Sequence, residues 1–489
     1  MRTNFILRRD LRTRPVFKLH NMRALRIISG LLLAFALGRG DAAELQLQIP
    51  APEPAMRWDR KAQTFSAAID SLSLKATMAK ISALTGWKVY VDPSAEQNVS
   101  AQFSGRPTAE ALRLLLGGLN FAVVPQKGGP SKLMVFRKSA ADATEAIEPA
   151  KEKPAHGKDW IKNEMIVSLT RGSKRNIDEL ARLLGAKIVG RNDKLRTYRL
   201  QFDTDEAAEA AREQLASNTD LRVDDNYAMR PPVTNGDAGA PSAAPFDLKA
   251  TANPDGSHTI VAVIDTAIQG LDQNKSQFLL DPINVAGAAD PAALSNPVPL
   301  HGTSMIETLL ESMAANAGDS GESNIRIRPI NVYGGAQGST TTYEVTLGFY
   351  AAVQDGARIV SMSMGGDGDS PLLDNLIDQS RDHGVRVFAA AGNTPTTEPT
   401  FPAAHPNVYG VTASGEDGNL AYYANRGAFV DLIAPGTSYI DFLGTTFRIT
   451  GTSPATATVA GAAASYIANG HTVQQMDAQV QQTFGIKKR

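Results

Sequence analysis

The 489-residue chain carries 49 Lys and Arg against 50 Asp and Glu, so no global field recruits nucleic acid or an anionic membrane surface. It has no cysteine, which removes disulfides, thiolate nucleophiles and zinc–thiolate sites together; the core must hold by packing alone. A chain of this length exceeds one ordinary core and predicts about three domains.

Residues 1–43 read as a targeting segment. Arg23 and Arg26 precede an apolar run over 27–37, and Ala42 and Ala43 follow, in the basic, apolar and small-residue order of a secretory signal peptide. The run is too short to span a bilayer. Met22 is an alternative start, and the mature chain is expected to begin near Glu44.

Residues 62–138 predict a small α/β unit. A helix over 76–85 is stopped by Gly86, a strand over 87–91 follows, Thr108 is expected to cap a helix to Leu116, and strands fall at 121–124 and 133–136. The stretches ALTGWKVYVDP and SGRPTAEALRLLLGGLNFAVV resemble the short N-terminal domain shared by secretins and TonB-dependent receptors. That resemblance implies an envelope protein partner and a Gram-negative periplasm. Residues 139–158, rich in Ala, Glu, Lys and Pro, predict an exposed linker.

A second small α+β unit spans 159–232 in the order β-α-β-β-α-β, with a helix over 175–184, a Thr204-capped helix over 205–216 and a closing strand over 221–229. Ending in RVDDNYAMRPP, it resembles the propeptide of subtilases, which implies an intramolecular inhibitor. Residues 233–256 have the Gly, Ala, Pro, Asn and Asp content of a cleavable connection, and self-cutting is expected between Val233 and Leu248.

From 257 to 489 the pattern changes to buried strands at 260–264, 325–332, 358–362, 385–390 and 408–412. They alternate with helices at 301–315, 342–354 and 372–383, the second opened by the box Thr341-x-x-Glu344. This predicts an α/β fold with a mostly parallel sheet covered on both faces, whose site lies at the carboxyl ends of the strands.

Three polar groups fall where elements change type. TIVAVID ends in Asp265, HGTS opens a helix with His301, and GTSPATATVAG places Ser453 at a helix start beside unpaired backbone N–H groups. Alone, each is as readily a turn, cap or packed residue. Together they supply a nucleophile, a base and a carboxylate to fix the base's tautomer, in the Asp-His-Ser order of the subtilisin fold.

VIDTAI, HGTS, SMSMGG, FAAAGN and GTSPATATVAG resemble, in order, the segments of subtilisin-like serine peptidases. The resemblance implies a three-layer αβα peptidase made as an exported zymogen, acting on polypeptide in the periplasm or outside the cell, with Asp265, His301 and Ser453 catalytic. It further implies Asn393 as oxyanion donor, Ser363, Met364 and Gly365 on one wall of the specificity pocket, and Ala390, Ala391 and Gly392 on the other, leaving space for a sizeable side chain. No cofactor is assigned; calcium is implied by the resemblance alone, and no acidic cluster marks a metal site. The chain departs from the family pattern at Ala267 and Glu307, where glycines are usual, at Ser304 in place of a second histidine, at Pro454, and at Ala457-Thr458. The rival reading is a periplasmic scaffold with vestigial hydrolysis; sugar or phosphate chemistry lacks paired carboxylates or a phosphate loop.

Overall fold

The computed structural model describes residues 55–59, 62–126, 129–149, 158–216, 218–229, 235–239, 246–288, 290–334 and 339–486. The expected targeting segment, and the parts of the expected cutting interval at 233–234 and 240–245, lie outside these residues.

Between residues 55 and 147, helices Leu74–Thr85 and Thr108–Leu116 share one apolar core with two small sheets. Met78, Ile81, Leu112 and Leu116 meet Phe65, Val89 and Leu133 there, and Phe65 lies beside Trp58 and Trp87. Thr108 is the first helical residue rather than the cap. Its hydroxyl donates to the Gln63 carbonyl at 2.9 Å, tying the helix start to a distant turn. The expected linker over 139–158 also needs correction. Ser139 caps a short turn at Ala140–Asp142, and Glu145–Ile147 pairs antiparallel with Lys88–Val91. The strand Lys88–Val91 would otherwise present an open edge; covering it requires backbone groups more than a particular composition, so Ala-Glu-rich sequence serves.

Residues 160–229 form the expected β-α-β-β-α-β unit, with an antiparallel sheet in the order Leu221–Met229, Trp160–Leu169, Thr197–Gln201, Lys187–Asn192. Its first helix is Ile177–Leu184, starting later than the apolar pattern predicts because the Asn176 side chain accepts from the Asp178 and Glu179 N–H groups and fixes the terminus. Thr204 caps the second helix, Asp205–Leu215, as expected.

The large C-terminal unit is a three-layer αβα domain built on a seven-stranded parallel sheet. The order is Ile283–Asn284, Ile325–Asn331, Thr259–Asp265, Ala357–Met362, Arg386–Ala390, Val408–Ser414, Leu432–Pro435. Alternate residues of Thr259–Asp265 serve the two faces. Val261 and Val263 pack under helices His301–Ala315 and Thr452–Ala468, while Ala262 and Ile264 pack against Thr342–Gln354 and Pro371–Asp382. A strand buried on both faces has no polar alternation, hence the continuous apolar run in the sequence. The chain leaves Thr259–Asp265 toward one edge for Ile325–Asn331 and then crosses back to Ala357–Met362. The carboxyl end of Thr259–Asp265 is therefore the switch point of the sheet, where a crevice opens.

Candidate active site

Asp265 ends the central strand at that switch point and is 1% exposed. Its carboxylate accepts from the Thr266 N–H at 2.7 Å and lies 2.8 and 3.0 Å from His301 Nδ1. A buried carboxylate on Nδ1 holds the proton there and leaves Nε2 as the basic nitrogen. Burial and the charge of Asp265 push the Tyr333 phenol well above its ordinary value, so the neighbouring wall stays neutral.

Ser453 is the second residue of Thr452–Ala468, a helix 13 of whose residues are buried. The preceding Gly451 has φ 152°, and a Cβ there would lie 3.0 Å from Asn393 Nδ2, so only glycine lets the turn approach that amide. Asn393 Oδ1 accepts from the Thr452 N–H at 2.9 Å, which fixes the carboxamide and keeps Nδ2 beside the turn that carries Ser453. The Ser453 hydroxyl donates to the Ser363 carbonyl at 3.3 Å, and the Ser363 hydroxyl donates back to the Ser453 carbonyl at 3.2 Å. Among the described residues that carbonyl, and not His301, holds the Ser453 hydroxyl. Hydrogen bonds of reacting groups are commonly loose before a substrate is in place.

Ser363, Met364 and Gly365 follow the strand Ala357–Met362, and Ala390, Ala391 and Gly392 end and follow the neighbouring strand Arg386–Ala390. Two residues that the sequence reading missed shape the space between them. A Cβ on Gly365 would lie 2.7 Å from Thr400 Cγ2 and 3.6 Å from the Ala390 carbonyl, so Thr400 fills part of the gap between the walls. Asn425 holds it there: its amide donates to Thr400 Oγ1 at 3.2 Å and to the Ala391 carbonyl at 2.7 Å, and its own N–H donates to the Gly392 carbonyl. No local motif marks either residue, since both act from loops far along the chain.

The strand Leu221–Met229 reaches this region from the small unit before it. Ala228 and Met229 pair antiparallel with Thr341 and Thr340. The Asn226 side-chain Oδ1 accepts from the Thr342 hydroxyl and the Tyr343 N–H, capping Thr342–Gln354 from outside. Arg199 bridges Glu164 at 2.7 Å and Glu344 at 2.8 Å. The Tyr227 ring occupies the space a Cβ on Gly368 would need, and Met229 is buried in one cluster with Tyr333 and Met364.

The departures from the family pattern are locally accommodated. Among the described residues the non-glycine positions with positive φ are Gln63, Arg196 and Leu443, so Ala267 meets no backbone penalty. Ser304 is buried and donates back to the Leu300 carbonyl. Glu307 is 1% exposed and pairs with Lys275, itself 3% exposed, which also meets Glu311 at 2.9 Å. Burial pushes the Glu307 carboxyl up to about 7, with Lys275 opposing; burial likewise works against charge on Lys275, yet the two carboxylates together hold it above the ordinary lysine value. Among the described residues no group of three or more His, Cys, Asp or Glu could hold a metal ion, and no helix is long and apolar enough to cross a membrane.

Residues 256–484 match the model of the subtilase family, and residues 146–223 match that of the fervidolysin N-terminal prodomain. Thermitase of Thermoactinomyces vulgaris is 32% identical over 30% of this chain and 53% of its own length. Subtilisin Savinase of Lederbergia lenta is 33% identical over 27% of this chain and 49% of its own. The chain thus spans about half the length of these curated relatives. The crystal structure of fervidolysin from Fervidobacterium pennivorans, described as a keratinolytic enzyme related to subtilisin, is similar at a TM-score of 0.48 and 18% identity. That similarity covers 69% of this chain and 58% of the other. The chain carries a subtilase domain preceded by a prodomain of the fervidolysin type.

Proposed function

We propose that the subtilase domain is a serine endopeptidase, made as an exported zymogen. The observation that carries this reading is the convergence at one sheet edge of the buried Asp265–His301 pair, Ser453 at a helix start, and Asn393 locked beside it. Ser453 attacks the scissile carbonyl while His301 Nε2 takes its proton and passes it to the leaving amine; Asp265 holds the imidazole. The Ser453 N–H and Asn393 Nδ2 stabilise the oxyanion, and water then releases the acyl-enzyme. Replacing Asn393 by Ala should lower kcat by about 10²–10³-fold with KM little changed, measured on a peptidyl anilide. An unchanged kcat would remove the residue from this role.

Thr400 gives the same site a preference for small residues before the cut. Thr400→Gly should raise kcat/KM for Phe over Ala at that position by about tenfold, since even one methylene in an apolar pocket is worth ~1–3 kcal/mol. A preference that does not move would contradict the assignment.

The prodomain serves as the intramolecular inhibitor: its last strand, the Asn226 cap and the Arg199–Glu344 pair support docking over the cleft. Release follows cutting between Val233 and Leu248. The module at 55–147 is read as binding an envelope protein partner, and the signal-like segment supports export to the periplasm or beyond. The scaffold reading is favoured by one observation, the Ser453 hydroxyl bound to the Ser363 carbonyl. A scaffold makes no use of an oxyanion donor, so Asn393→Ala separates the two readings.

A further inference from the structure

The segment Asn235–Ala238, which follows the prodomain, is paired. It lies antiparallel to Thr445–Thr450, with Asn235 opposite Thr450 and Ala238 opposite Phe447. It forms the outer strand of a three-stranded sheet whose other edge is Thr437–Phe442. Thr445–Thr450 runs straight into Gly451, Thr452 and Ser453. A chain antiparallel to it therefore approaches the nucleophile with its amino end, and Ser453 lies on the amino side of Asn235. Residues 235–238 stand where the leaving half of a polypeptide would lie.

We infer that this strap is a second inhibitory element, distinct from the prodomain, which stays on the leaving-group side of the cleft after the first cut and has to be displaced before a long polypeptide is hydrolysed. The inference rests on the peptidase reading above. When the bond upstream of Asn235 is cut, its carbonyl carbon passes to Ser453 Oγ and its amine takes the proton from His301; water then hydrolyses the ester, His301 returns a proton to Ser453 Oγ, and the acyl half leaves as a carboxylate with the prodomain. The amine half does not leave. Downstream, Leu248 is buried in the core of the subtilase domain and Lys249–Ala250 pairs with Glu322–Ser323, so the strap remains tethered by a short connection. A short tether keeps a bound segment at a millimolar effective concentration without adding any contact. The ladder itself is ordinary strand addition to an open edge. The Gly239 N–H donates to the Thr446 carbonyl at 3.0 Å. Alternation along an antiparallel pair then assigns the Asp237 N–H to the Arg448 carbonyl, and Asp237 and Arg448 oppose each other with opposite charge.

Full activity on proteins then needs a further cut downstream of Gly239, whereas activity on small substrates does not. Asp237→Pro deletes the N–H that holds the centre of the strap and so breaks the ladder there, while the exposed position on an outer strand leaves the core untouched. The test uses the full chain, allowed to cut itself and freed of the prodomain fragment, in native and Asp237→Pro forms. One substrate is a peptidyl anilide, which has no residues beyond the scissile bond; the other is an internally quenched peptide extending several residues past it. The expected result is a KM for the quenched peptide about tenfold higher in the native form than in Asp237→Pro, equal KM for the anilide, and an intact mass placing the first cut at or before Asn235. Equal KM values on both substrates, or a first cut form that begins beyond Gly239, would overturn the inference. Turnover of neither substrate by either form would overturn the peptidase reading, and the strap with it.

Discussion

Ser453→Ala is expected to lower turnover of a peptide substrate by about a million-fold and to leave the chain uncut at the end of its prodomain. The loss is that large because nucleophile and base act as one unit, so removing either forfeits the whole covalent route, and what remains is binding and oxyanion stabilisation. The variant should fold normally. Ser453 follows the N-terminal residue of its helix, its hydroxyl makes one hydrogen bond, and alanine is the best helix former. Assay on an anilide and intact mass of the purified chain check both parts.

Lys275→Met is expected to destabilise the protein by about 3–5 kcal/mol, the usual cost of stripping a buried charge of its partner. Glu307 would remain in the core with no cation beside it. The pH dependence has a definite sign. Burial already raises Glu307 to about 7, above its unfolded value near 4.5, so its ionised form opposes folding as pH rises through that interval. Without Lys275 the folded value rises further. The deficit of the variant relative to the native chain should therefore shrink as pH falls below about 7 and grow above it. Lys275→Met combined with Glu307→Leu should recover most of the loss, because a well-packed apolar pair often replaces a buried ion pair without penalty. Urea denaturation at several pH values measures all three statements, and a deficit independent of pH would contradict the account of Glu307.

The sheet and its site were legible because each strand run is apolar throughout and each chemical residue sits at a change of element: Asp265 after TIVAVID, His301 at the head of its helix, Ser453 after a glycine. The Asn393 assignment came from resemblance, since an Asn after Gly reads as a turn on pattern alone. What escaped was set by partners distant in the chain. Glu307 reads as an intrusion in a helix that packs on the core until Lys275, brought from the short helix Gln273–Ser276, is placed against it. Thr400 and Asn425 reach Gly365 and Ala391 through contacts that no local period encodes. The strands Glu145–Ile147 and Asn235–Ala238 both fall in stretches whose composition reads as linker. Their strand character comes from the exposed edges they cover, a property of Lys88–Val91 and Thr445–Thr450 and not of the segments themselves.

The central claim, a serine peptidase that matures itself, is tested most directly by a fluorophosphonate labelling time course on the purified full-length protein beside Ser453→Ala, read by intact mass. The account predicts one adduct per chain in the native protein alone, on a species that has lost the prodomain, while Ser453→Ala stays unlabelled and uncut. Labelling of Ser453→Ala, or an uncut and unlabelled native chain even after limited proteolysis of the connection around residues 233–248, would contradict it.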